Sequence, residues 1–374
     1  MNHLDLFSGI GGFSLGLKKV FNIKHTYYSE IDKYAIDVYK HNFKNSTYVK
    51  SITDVQGRNL PRIDVITFGS PCQDFSLAGK RKGMDGERSS LITEAIRLIK
   101  ECRPRFFIWE NVKGTFSSNS GSDFWAIIQA FTNIGGYRLE WQLLNTSWFL
   151  PQNRQRIYLV GYIRNGSKGQ VFPITENNRK VNDIQGQQAN TCTLTTRYEA
   201  GGNGSYIIKR KLNAQETDLK QIGIIGKDSE ATRVYNTNCA KTIKDGGGMG
   251  VKTGLYMIQT NNKKGYEIAS RGDTINYAVP TSKTRRGRVG KGVAQTLDTG
   301  CNQAVLDNKI RRLTPIECER LQGFPDDWTK NGKELGTISD SQRYKMCGNA
   351  VTVDVVEAVA KKIKLILNKK IKLC

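Results

Sequence analysis

The first 165 residues alternate short apolar runs with stretches of helical periodicity. "HLDLF", "KHTYYS", "IDVITF" and "RFFIWEN" have the length and the β-branched or aromatic content of buried strands. Between and after them, "FSLGLKKVF", "IDKYAIDVYKHNF", "SLITEAIRLIKEC" and "FWAIIQAFTNI" bring apolar side chains back every three or four positions, as at Ile31, Ala35, Val38 and Tyr39. "YRLEWQLLN" and "RIYLVGYI" add two more strands. Strands and helices in alternation predict an α/β fold built on a parallel, doubly wound sheet.

From residue 166 the pattern changes. Gly, Asn, Thr and Lys dominate, helical spacing disappears, and turn signals recur in "EAGGNGS", "KDGGGMG", "NNKKG" and "DTGCNQ". Thr193-Leu194, Thr242-Ile243 and Thr296-Leu297 form a loose repeat whose spacing is too uneven for a solenoid. A second, smaller domain rich in strands and loops is expected over residues 166–335. Regular structure returns with "TPIECERLQGF", a helix with Thr314 as N-cap and Pro315 in its first turn. "NAVTVDVVEAVAKKIKLIL" predicts a long terminal helix resembling those of the first half. Residues 336–374 are therefore expected to complete the domain that residues 1–165 begin.

Charge sharpens this picture. The 374 residues carry a net charge of +23, divided as +8 over residues 1–165 and +15 over residues 166–374. So large an excess favours a polyanionic partner, because each phosphate neutralised releases counterions. No apolar run is long enough for a membrane helix. The opening "MNHLDLFSG" has no basic leader before an apolar stretch, so no signal peptide is expected and a cytoplasmic location is. The eight cysteines form no CxxC pair, and the three histidines all precede residue 42. No metal site is expected, and the thiols should be reduced.

Three stretches carry candidate chemistry. "DLFSGIGGFSLGL" joins a strand to a helix through a glycine turn, a form that lets a backbone approach a nucleotide closely. Its spacing is not GxGxxG, which argues against a dinucleotide, while Glu30 at the end of the next strand can accept from ribose hydroxyls. "GSPCQDFS" sets Pro71-Cys72 directly after the strand "IDVITF", and "WENV" sets Glu110 at the equivalent end of another. A thiolate and a carboxyl at one sheet edge can serve as nucleophile and proton donor. "PQNRQRIYLV" puts Gln152, Arg154 and Arg156 at alternate positions, hence on one face, where guanidiniums suit phosphate or base oxygens.

Taken together and in this order, "DLFSGIGG", "SEID", "GSPCQDFS", "WENV", "QNRQR", "RRLTPIECERLQGFP" and "GNAV" resemble the DNA (cytosine-5)-methyltransferase family. The resemblance spans nearly the whole chain apart from roughly residues 166–308. It implies a Rossmann-like sheet that binds S-adenosylmethionine, and a target cytosine flipped out of double-stranded DNA. On that resemblance Cys72 attacks ring carbon 6, Glu110 holds ring nitrogen 3 and the exocyclic amine, and Arg156 contacts the base carbonyl. Arg154 takes a phosphate or the same pocket, and Pro71 and Gln73 shape the approach.

The cofactor pocket carries over in the same way. Phe7 would stack on adenine, while Ser8, Gly9, Ile10 and Gly12 would meet the methionine part. Glu30 would hold the ribose, Ile31 and Ile52 would flank the adenine, and Gly69, Leu91, Asn349 and Val351 would complete the pocket. The family commonly has an aspartate just before the residue matching Ile52; here it is Ser51, so either its hydroxyl or Asp54 takes over the adenine amino group. The middle region would be a target recognition domain, with Thr193, Thr242 or Thr296 reading bases and Ser76, Lys283, Arg285, Arg286, Arg288 and Lys291 contacting DNA. The resemblance implies a monomer, and leaves open a cognate restriction endonuclease acting on the same site. The alternatives are a transfer-RNA methylase of the same family, whose Cys-Phe-Thr motif is absent here, an inactive DNA-binding relative, and a nicotinamide-dependent dehydrogenase.

Overall fold

A computed structural model describes residues 1–70, 89–163, 170–175, 221–224, 233–236, 255–278, 288–307 and 310–368. The chain begins β1 (Asn2–Leu6), α1 (Gly12–Lys18), β2 (His25–Ser29), α2 (Lys33–Asn42), β3 (Ser46–Tyr48) and β4 (Val65–Gly69). It continues α3 (Ser89–Cys102), β5 (Phe106–Val112), α4 (Ser122–Thr132), β6 (Tyr137–Asn145), β7 (Gln152–Asn153) and β8 (Gln155–Ile163). Seven of these strands make one sheet in the order β3-β2-β1-β4-β5-β8-β6. The first five run parallel, as the alternating pattern predicts. The exception is β8, which lies antiparallel between β5 and β6. Only a short connection joins β6 to β8, too short for a crossover, so the two must pair as antiparallel neighbours.

Helices cover both faces of the sheet. On one, the apolar stripe of α3 (Ile92, Ala95, Ile96, Ile99) and that of α4 (Phe124, Ile127, Phe131) pack on Leu4, Leu6, Ile66, Phe68 and Trp109. On the other, Phe13 and Leu17 of α1 meet Val65, Phe106, Ile108 and the last helix of the chain. Helix α2 starts later than its apolar spacing suggests. The Asp32 carboxylate caps it by accepting from the Tyr34 and Ala35 amides, which leaves Ile31 outside the helix and 81% exposed.

A buried polar cluster fastens the glycine turn from beneath. Asp5 of β1 accepts from Ser14 of α1 at 2.7 Å and from Thr67 of β4 at 2.8 Å, with Tyr39 of α2 against Ser14 at 2.6 Å. His3 lies 2.7 Å from the Thr67 hydroxyl and 3.2 Å from that of Ser14. Burial raises the Asp5 carboxyl to about 7, against the opposing hydrogen bonds from Ser14, Thr67 and Tyr39. Burial, and then the Lys18 ammonium, lowers the His3 imidazole to about 3. Both groups are therefore neutral around pH 5.

The described residues between 164 and 309 hold strands and turns and no helix. They include β9 (Gln221–Ile224), β10 (Arg233–Asn236), β11 (Leu255–Gln259) and β12 (Tyr266–Ala269), one four-stranded sheet. After β13 (Thr274–Asn276), β14 (Val289–Gly290), β15 (Ala294–Gln295) and β16 (Gln303–Leu306) comes β17 (Ile310–Arg312), and β14-β13-β16-β17 form a second sheet. Strand β15 instead pairs in parallel with β7, tying this region to the end of the first.

The chain ends with α5 (Pro315–Leu321), α6 (Asp340–Asn349) and α7 (Val353–Asn368). Helix α5 opens with a full capping box, Thr314 and Glu317 each bonding the other's backbone N–H. Helix α7 buries Val353, Val355, Val356, Val359, Ala360, Ile363 and Ile366. Each buried valine or isoleucine contributes roughly 1.5–3 kcal/mol relative to exposure, which docks α7 firmly on α1. The approach is close: a Cβ on Gly16 would come within 2.7 Å of Val356, and one on Gly12 within 2.6 Å of Val351.

Candidate active site

The carboxyl ends of β1, β2, β4 and β5 and the C-terminal half of α6 enclose a cavity of about 450 Å³. It is lined by thirteen of the residues singled out in the sequence: Phe7, Gly9, Ile10, Glu30, Ile31, Ser51, Ile52, Gly69, Leu91, Glu110, Arg154, Arg156 and Asn349. At one end the glycine turn bends sharply, with Phe7 (φ 51°), Gly9 (φ 51°) and Gly11 (φ 88°) all left-handed. For a phenylalanine that conformation is costly, and such outliers gather at ligand sites. Glu30 is held in place by amides: Gly9 donates to one carboxylate oxygen at 2.8 Å, Ile31 and Asp32 to the other at 2.7 and 3.0 Å. Its remaining lone pairs can take hydroxyl donors. The Ser8 hydroxyl is buried without a hydrogen-bond partner among the described residues.

Ser51 reaches the cavity, its hydroxyl 2.9 Å from that of Thr53, whereas the exposed Asp54 does not line it. Ser8, Gly12 and Val351, expected at the cofactor, are absent from the lining. For Gly12 the reason is packing: its missing side chain makes room for Val351 rather than for a ligand.

At the other end stand the groups suited to acid–base work. Glu110 on β5 is in register with Gly69 on β4, where a Cβ would sit 3.1 Å from the carboxylate. Arg156 Nε lies 3.1 Å from Glu110 Oε1, with both side chains largely buried. The two thus form a preset ion pair beside the exit of β4, from which Pro71 and Cys72 continue. Pro71, Cys72, Gln73 and Ser76 themselves lie outside the described residues, as do Thr193, Thr242, Lys283, Arg285 and Arg286.

Arg154 lines the cavity and also holds the surrounding segments together. Only 3% exposed, its guanidinium donates to the carbonyls of Ala350 (2.9 Å), Gly348 (3.3 Å) and Leu297 (3.4 Å). A buried cation needs acceptors, and here backbone carbonyls supply them, so Arg154 clamps the α6 end and the Thr296-Leu297 segment against β8. Gln152 does similar work, donating to Leu321 O and accepting from the Leu297 amide. The Thr296 hydroxyl donates to Asn153 O at 2.8 Å, which makes this threonine part of the same joint. Arg288, grouped with the phosphate-gripping cations, is only 7% exposed, while Glu267 holds the backbone amides of 288 and 289.

Several lining residues were not anticipated. Asn111 and Val112 belong to "WENV" and Ser70 to "GSPCQDFS", so the motifs already noted contain them. Lys345 and Met346 arrive on α6 and nothing in the local sequence announces them, whereas Gly348 opens the quoted "GNAV". Lys345 pairs with Asp32 at 2.6 Å across the cavity rim. Burial favours the neutral Asp32 acid, but the Lys345 ammonium and the α2 amides outweigh it and hold the carboxyl below its usual value.

A family model for C-5 cytosine-specific DNA methylases matches residues 1–365. The chain belongs to this family. As a C-5 cytosine-specific DNA methylase it is an enzyme of DNA modification, and membership implies S-adenosylmethionine as methyl donor. It is 31% identical to "Type II methyltransferase M1.ScrFI" of Lactococcus lactis subsp. cremoris, covering 98% of this chain and 78% of that protein. It is 28% identical to "Type II methyltransferase M.HhaI" of Haemophilus parahaemolyticus, covering 98% and 95%. "Orphan methyltransferase M.SPRI" of Bacillus phage SPR is also 28% identical, with 96% of each chain covered. In fold the methylase resembles the Entamoeba histolytica methyltransferase EhMeth (TM-score 0.59, 16% identity, 99% of both chains). It also resembles S. pombe Dnmt2 methyltransferase (TM-score 0.53, 17% identity, 98% of both). No helix among the described residues is long and apolar enough to cross a membrane.

Proposed function

We propose that this methylase modifies cytosine at a specific sequence in double-stranded DNA, through a covalent adduct between Cys72 and the flipped base. The observation that carries the reading is the Glu110–Arg156 pair, set at 3.1 Å where β4 ends opposite Glu110 of β5 and the chain passes into Pro71-Cys72. The thiolate of Cys72 adds to ring carbon 6, and electron density moves toward ring nitrogen 3. Glu110 donates a proton or hydrogen bond there, so the charge has an acceptor. Arg156, fixed by Glu110, presents its remaining N–H groups to the base carbonyl. Carbon 5 is then nucleophilic and would take the methyl, with S-adenosylhomocysteine as the leaving thioether; the carbon 5 proton passes to water, Cys72 leaves as thiolate, and ring nitrogen 3 returns its proton to Glu110.

S-adenosylmethionine supplies that methyl group. The residues present fit it: Glu30 faces the cavity with lone pairs to spare, and exposed Ile31 and left-handed Phe7 offer apolar cover to a planar base. Ser51 would meet the adenine amino group. Residues 166–335 would read the target sequence in the major groove, with Lys283, Arg285 and Arg286 on phosphates, while residues 336–374 complete the catalytic domain.

Duplex DNA with 5-fluorocytosine at the target tests this directly, since fluorine cannot leave as a proton does. The wild-type enzyme with S-adenosylmethionine should form a complex that survives denaturant, and Cys72→Ala should not. A denaturant-stable complex with Cys72→Ala would refute the assignment.

A further inference from the structure

Ser70 directly follows β4 and stands two residues before the proposed nucleophile. Its hydroxyl accepts from the indole Nε1 of Trp109 at 3.0 Å and from the side-chain amide of Asn111 at 3.3 Å. All three residues are buried, at 8%, 0% and 2% exposure. The Asn111 amide is itself oriented, because its carbonyl accepts from the Val112 N–H at 2.8 Å and so turns the NH₂ group toward Ser70. Trp109 and Asn111 lie two apart on β5, on either side of Glu110, so one strand holds both the proton donor and the grip on Ser70. Ser70 also borders the cavity together with Glu110 and Arg156.

From this geometry we propose that Ser70 is a positioning residue for catalysis: its clamped hydroxyl fixes the direction in which the chain leaves β4 and thereby aims Cys72 at the base. The proposal rests on the reading of Cys72 as nucleophile. Two donors converging on one oxygen restrain it far better than the backbone of a strand end alone. Without the hydroxyl, the indole and amide N–H groups are left buried and unmatched, and the strand end is free to shift. A displacement near 1 Å between reacting groups can lower a rate about 10²-fold.

Ser70→Ala should therefore slow methyl transfer in a single turnover by roughly 10–100-fold, and slow trapping by 5-fluorocytosine DNA in parallel. Affinity for S-adenosylmethionine and for DNA should stay within a few-fold of wild type, because Ser70 holds neither. Ser70→Thr, which keeps the hydroxyl, should recover most of the rate. Wild-type trapping and turnover in Ser70→Ala would overturn the proposal. So would a loss in which thermal stability and cofactor affinity fall together and threonine gives no rescue, since that pattern marks a structural role only. Trapping by Cys72→Ala, run alongside, would instead overturn the nucleophile reading on which the proposal stands.

Discussion

Replacing either member of the buried His3–Asp5 pair should expose a pH dependence that the intact pair conceals. In the unfolded chain Asp5 titrates near 3.8 and His3 near 6.5; in the folded protein these become about 7 and about 3. Between about pH 4 and 6.5, then, the unfolded pair holds one proton, on the imidazole, and the folded pair also holds one, on the carboxyl. Stability follows the difference in bound protons, which is zero, so the wild-type pair contributes no slope. Asp5→Asn leaves His3 alone. Its folded pKa is depressed, the unfolded state binds the extra proton, and stability should rise with pH by about 1.4 kcal/mol per unit. Relative to wild type that is a gain of roughly 2 kcal/mol between pH 4.5 and 6.0. His3→Gln leaves Asp5, whose folded pKa is raised; stability should fall over the same interval by a similar amount. Urea unfolding of the three proteins at several pH values, plotted as differences from wild type, gives two lines of opposite sign. Parallel curves for all three would refute the neutral-pair reading, as would an NMR signal of a protonated His3 imidazole at pH 5.

Glu110→Gln keeps a hydrogen bond but removes the proton, and turnover should fall on the order of 10²–10⁴-fold with DNA affinity little changed; steady-state and binding measurements separate the two. Ser51→Asp should tighten S-adenosylmethionine binding by calorimetry, because position 51 lines the cavity and the exposed Asp54 does not; unchanged affinity would place the adenine contact elsewhere. Arg154→Met should leave the carbonyls of Leu297, Gly348 and Ala350 without this donor, lowering stability by about 1–3 kcal/mol in denaturant titrations and weakening cofactor binding through Asn349.

What the sequence determined by itself is whatever depends on neighbours along the chain. The strand–helix alternation through residue 163, the Thr314–Glu317 cap and the apolar stripe of α7 are local patterns, and local propensity and burial enforce them. Motif order was equally legible, since "DLFSGIGG", "GSPCQDFS" and "WENV" each end a parallel strand, and parallel strands deliver their carboxyl ends to one edge. Tertiary structure decided the rest. That β8 inserts between β5 and β6 depends on which strand edge is free, which no local pattern encodes. Arg154 and Arg156 are two residues apart and chemically alike, yet one clamps carbonyls of α6 and the other pairs with Glu110. Their roles differ because burial and acceptors come from segments nearly two hundred residues away for one and from the adjacent strand for the other. Lys345 and Asp32 illustrate the same point at the cavity rim. A charge acquires its function from what the fold places opposite it, and the sequence records only that the charge is there.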